Sequence, residues 1–86
     1  MEIGDKMFNG DTLKYLRKLN NLTMDEVVVQ LKTTLPKASI SSISAYELGK
    51  QQPRVDMVLA ISELFKVPFD LFYKNTKQAR EYFKTK

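Results

Sequence analysis

Apolar side chains recur along this chain at helical rather than strand spacing, and turn-forming residues cut the pattern into short lengths. Over residues 11–20, Leu13, Leu16 and Leu19 repeat with Lys14, Arg17 and Lys18 between them, which predicts a first helix. Asn20-Asn21 stops it, because Asn tolerates the left-handed conformation found at helix ends. Thr23 and Glu26 then form a T-x-x-E capping box, in which each side chain satisfies the other residue's orphan backbone N–H. Val27, Val28 and Leu31 supply an inward stripe behind it. The valine run at 27–29 favours a strand locally, since β-branched residues are stiff in helices. No partner strand is evident elsewhere, so the segment is read as a second helix. Residues 32–38 contain Pro36 and must turn; Leu35 either extends the helix or plugs the core from the loop.

A third helix is expected over 39–48, opened by Ser39, carrying Ile43 and Tyr46 inward and stopped by Gly49. After Pro53, the residues Val55, Val58, Leu59, Ile61, Ser62 and Phe65 keep helical spacing to about residue 66, where Val67-Pro68 breaks the run. Phe69, Leu71, Phe72 and Tyr73 then form a short aromatic helix able to close the core. The tail is basic, yet places Ala79, Tyr82 and Phe83 on one face if helical. The expected fold class is all-α, with five helices and a short sixth where the tail coils. Residues 1–8 read as a flexible arm, 9–74 as the domain and 75–86 as the tail.

Composition narrows the chemistry. Eighty-six residues, 43% hydrophobic and 28% charged, suit one small globular domain. No apolar run approaches the length of a membrane span, and the opening MEIGDKMFNGD lacks the basic-then-apolar order of a signal peptide. A soluble, cytoplasmic protein is therefore expected, without disulfides because there is no cysteine. With neither His nor Cys, the ordinary zinc site, the thiol nucleophile and the Ser-His pair all drop out. The ten acids are scattered over helix faces and no Gly-rich phosphate loop is present. No enzyme, metal or cofactor is expected. A net charge of +4 is compatible with a polyanion partner but does not establish one.

The order of three segments points further. LKYLRKLNNLTMDEV, then ISAYELGKQQP, then LAISELFKVPFDLF together resemble the helix-turn-helix domain shared by phage repressors (Cro and C1 type) and the XRE family of bacterial regulators. That resemblance implies a five-helix fold and a sequence-specific, double-stranded-DNA-binding transcriptional regulator, usually a homodimer, here a repressor. The segment 39–48 falls on the family's recognition helix, whose first turns and outer face touch base edges. Those positions here are Ile40, Ser41, Ser44 and Ala45. Serine can donate to or accept from a base, and Ala and Ile suit a thymine methyl, but none has the two-pronged grip of Gln or Arg. The bland reading is that the serines are a small polar helix surface.

Phosphate contacts are implied for the flanking residues: Lys37 and Ser39 before the helix, and Lys50, Gln51 and Arg54 after it. The free N–H groups at the Ser39 end would add to them. Arg17 and Glu47 fall where the family has an ion pair bridging its first helix and the end of the recognition helix; the alternative is two solvated charges that never meet.

Three positions depart from the family pattern. The turn between the central helices is several residues longer and starts at Lys32 instead of a Gly; Val28 stands where Ala is usual, and Met24 where a polar residue often grips a phosphate. These departures motivate a second reading, a protein-interaction module on the same scaffold, such as an antitoxin or anti-repressor adaptor with a protein partner. Tyr82 and Phe83 either pack onto the domain or pair with a second copy.

Overall fold

The computed structural model describes residues 7–84, and each helix in it begins and ends where local chemistry requires. Helix α1 spans Gly10–Leu19; Asn9 caps it, its Oδ1 accepting from the Asp11 N–H at 3.0 Å. It ends at Asn20, and Asn21 takes up the left-handed conformation at φ 57°. Helix α2 spans Met24–Leu31 behind the expected capping box: Glu26 N–H donates to Thr23 Oγ1 at 3.1 Å, and Thr23 N–H to Glu26 Oε1 at 2.8 Å. The valine run is helical. Val27 and Val28 are buried and Val29 is exposed, so two of the three gain core packing that offsets their weak helix propensity.

Helix α3 spans Ile40–Leu48, with Ser39 at its N-cap and Gly49 closing it at φ 76°. Helix α4 spans Val55–Phe65 and ends at Lys66, also left-handed at φ 58°. The aromatic segment Phe69–Tyr73 winds as a 3-10 helix after Pro68, and α5 covers Thr76–Lys84. The expected sixth helix is thus present, and among the described residues every regular element is helical.

The core fills the space between these helices. Phe72, Leu13, Ile43, Ile61, Val27 and Val58 are fully buried at its centre, and Leu71 is fully buried apart from that cluster. Helix α1 lies against α3, which in turn packs on α2, while α4 and the 3-10 helix close the other side. Leu35 both prolongs the end of α2, its N–H donating to Leu31 O at 2.7 Å, and packs against the core.

Three expectations change. Leu19 is exposed, because a strict three-residue repeat drifts about 60° per step around an α-helix, and two steps carry it off the face that Leu13 holds. Val55 and Leu59 are exposed as well; they stand roughly 120° and 160° around α4 from Ile61, and Met57 and Ala60 take the inner positions instead.

The third concerns the expected arm at 1–8, which lies outside the described residues except for Met7 and Phe8. Phe8 is no part of a free arm. It is buried, stacked on Phe72 at 5.3 Å between ring centroids, with its N–H donating to Gln52 Oε1 at 2.7 Å. Its place directly before the cap, five residues ahead of Leu13, is that of a hydrophobic staple, and both residues belong to the same core.

In the tail, α5 buries Ala79 and brings Phe83 onto Tyr15 of α1 at 5.0 Å, so this helix packs onto the domain. Among the described residues no helix is long and apolar enough to cross a membrane.

Candidate nucleic-acid interface

The position of α3 is set by what lies behind it. Ile43 is fully buried, and Tyr46 and Glu47 are buried with it. Glu47 meets Arg17 in a two-pronged pair: Nε to Oε2 at 2.7 Å and Nη2 to Oε1 at 3.1 Å. The remaining prong, Nη1, donates to Leu22 O at 3.1 Å, in the turn that leads into α2. One guanidinium thus ties the end of α3 to α1 and to the start of α2. Both side chains are nearly dry, 11% and 2% exposed, so the geometry is fully satisfied where an unpaired charge would be costly. The hydrogen bonding of Arg17 to the Glu47 carboxylate raises the Arg17 pKa, against the opposing effect of burial.

The second brace is a missing side chain. A Cβ on Gly10 would run into the carbonyl oxygens of Tyr46 and Glu47, standing 2.5 Å from the latter. The first turn of α1 can press against the last turn of α3 only because residue 10 has no Cβ. No residue pattern announces this contact, since a lone Gly before a helix also reads as a turn. The third brace is the Phe8–Gln52 hydrogen bond, which fastens the segment after α3 from the far side of the chain.

The outer face of α3 is small and weakly polar. Ile40 is 47% exposed, Ser41 is exposed, and Ser44 and Ala45 are half-buried. Leu48, 64% exposed, belongs to the same face and sequence reasoning missed it, although it lies one turn beyond Ser44. No Lys or Arg is on this helix.

Ser39 does not present a free hydroxyl: its Oγ accepts from the Ser42 N–H at 3.2 Å and lies 3.0 Å from Ser42 Oγ. The cap leaves the first N–H groups of α3, those of Ile40 and Ser41, at the positive end of the helix. Lys37, Lys50, Gln51 and Arg54 are all exposed on the segments flanking α3, Lys37 before it and the other three between α3 and α4. Lys37, Lys50 and Arg54 bring three cations to the segments that flank this helix.

The residues that depart from the family pattern serve packing. Val28 is 4% exposed and belongs to the core. Met24 is half-buried against the core. The long turn is anchored by Ala38, buried, whose N–H donates to Leu35 O at 3.0 Å.

No curated protein and no solved structure matches the chain. The description "Helix-turn-helix domain" matches over residues 10–78, from the first residue of α1 into α5. The chain belongs to this helix-turn-helix domain family.

Proposed function

We propose that the protein is a sequence-specific DNA-binding transcriptional regulator of the XRE and phage-repressor type, acting in the cytoplasm as a repressor. The observation that carries this reading is the bracing of α3: Arg17, Gly10 and the buried Ile43 hold its inner side, while Ile40, Ser41, Ser44 and Ala45 face outward between exposed cations. In this reading α3 enters the major groove, and the four outward residues read base edges, thymine methyls foremost. Lys37, Lys50, Gln51 and Arg54 hold the phosphates on either side, and the Ser39 end contributes backbone N–H groups while its hydroxyl caps the helix.

Two copies bind together and place their α3 helices about one DNA turn apart, so the operator is near-palindromic and promoter occlusion follows. The homodimer forms around α5. Phe72 takes no part in it, being consumed by the core, and Tyr15, Leu19 and the α5 aromatics are the apolar groups at that end.

Selection from a random DNA library tests the reading. An enriched inverted-repeat motif is expected, and recovery of no motif at moderate salt would overturn it. If each subunit neutralises four phosphates, the log-log salt slope is about −3.6 per subunit.

The exposed Ile40 and Leu48, with no cation on α3 itself, favour a second reading in which the face docks a protein partner. The double substitution Lys50→Glu with Arg54→Glu, both exposed and off the α3 face, separates the two. It abolishes DNA binding under the first reading and leaves partner binding intact under the second.

A further inference from the structure

The long turn between α2 and α3 builds a surface feature of its own. Between this turn, α3 and the start of α4 lies a groove of about 440 Å³, inside the roughly 300–1,000 Å³ range of small-molecule pockets. Leu35, Ala38, Tyr46 and Met57 line it with apolar surface, the last three of them buried side chains of the core. Its exposed rim is charged, with Lys37 contributed by the turn and Arg54 and Asp56 by the start of α4.

Asp56 is partly committed already, since its Oδ1 accepts from the Met57 N–H at 2.8 Å. Two cations against one carboxylate leave the rim with one net positive charge. Arg54 also occupies the N-cap of α4 and makes no side-chain cap hydrogen bond among the described residues, so the first-turn N–H groups other than that of Met57 add to that positive end.

We infer that this groove binds a small organic monoanion, a carboxylate carried on an aromatic or medium-chain apolar body. The carboxylate meets Lys37 and Arg54, and the apolar body lies over Leu35, Tyr46 and Met57. A single net charge matches one carboxylate, and an apolar floor gives bare phosphate nothing to bury. The site exists because the turn is long: Leu35, Lys37 and Ala38 all come from it or its edge.

The groove shares Ser42 and Tyr46 with α3, and its two cations are among those assigned above to phosphates. An occupant therefore competes with DNA for the same charges. That consequence rests on the DNA-binding proposal, whereas the site does not.

The test uses the full ¹⁵N-labelled chain without DNA, titrated separately with benzoate, octanoate and inorganic phosphate at matched ionic strength. Saturable amide shifts centred on Leu35, Ala38, Ser42, Tyr46 and Met57 are expected with at least one carboxylate and not with phosphate. Lys37→Gln and Arg54→Gln, both at exposed positions, should each weaken that carboxylate by about tenfold. The inference is overturned if neither carboxylate saturates by about 10 mM, if the shifts centre on another surface, if phosphate gives the same response, or if both variants bind as the parent does. Because DNA is absent, a failed operator selection and a failed titration are separate results.

Discussion

The two sides of α3 obey different rules. Its inner side is over-determined: a fully buried Ile43, a Tyr46 that helps to wall the core, and a Glu47 held by both prongs of Arg17. Its outer side is far less committed: Ile40, Ser41 and Leu48 are exposed, Ser44 and Ala45 are half-buried, and Ser41 Oγ lies 3.3 Å from the capping Ser39 Oγ. A helix built in this way is rigid in position and free in composition. The inner side sets where the outer side points, and substitution of the outer side leaves that direction unchanged. This is how one scaffold can present different faces to different partners.

The comparison can be broken most forcefully from the inside. Glu47→Ala leaves the Arg17 guanidinium buried without its partner, and about 3–5 kcal/mol of stability should be lost in urea unfolding. A loss below about 1 kcal/mol would mean that the pair is effectively solvated and does not brace α3. Gly10→Ala comes next. Alanine favours a helix by about 1 kcal/mol over glycine, but here its Cβ meets two backbone carbonyls that cannot swing aside. The net result should be a destabilisation of about 1–3 kcal/mol, the cost of overpacking, and a stabilised variant would show that α1 and α3 do not approach as described.

Smaller effects are expected toward the outside. Ser39→Ala removes the cap of α3 and should cost about 1 kcal/mol, with Ser39→Asp restoring most of it. On the outer face, Ser44→Ala should move stability by less than about 0.5 kcal/mol while changing which DNA sequences are recovered in selection. Equal loss of stability at Ser44 and Glu47 would erase the contrast between the two sides.

The last change probes the support itself. Thr12 Oγ1 is buried on α1 with no hydrogen-bond partner among the described residues, so Thr12→Val removes an unsatisfied group with little change in shape. Thermal unfolding should show a neutral to slightly stabilised protein, within about 1 kcal/mol.

Much of this was legible beforehand, for reasons that can be named residue by residue. The capping box at Thr23 and Glu26, the Asn20-Asn21 stop and the Gly49 terminator are local, and local chemistry acts wherever the chain goes. The core faces of α1 and α4 were only partly legible, because a run of apolar residues does not say which edge of the stripe turns outward. Leu19, Val55 and Leu59 lie at such edges. Phe8 carried a readable sign in its staple position before Asn9. Gly10 carried none, because the contact that requires a glycine there is with a carbonyl about thirty-seven residues away in the chain. The pairing of Arg17 with Glu47 was expected from resemblance, and the third prong to Leu22 O came only with the fold.

The sequence by itself determined the helices of the domain, their caps and stops and the all-α class, since caps, breakers and periodicity operate within a few positions of one another. The outward residues of α3 came from the family resemblance, and Leu48 only with the fold. The tertiary structure alone decided that Phe8 is core, that Gly10 lets α1 close on α3, and that the long turn folds over an apolar groove beside α4. Those features depend on which distant surfaces meet, and packing of distant surfaces is written in no single stretch of chain.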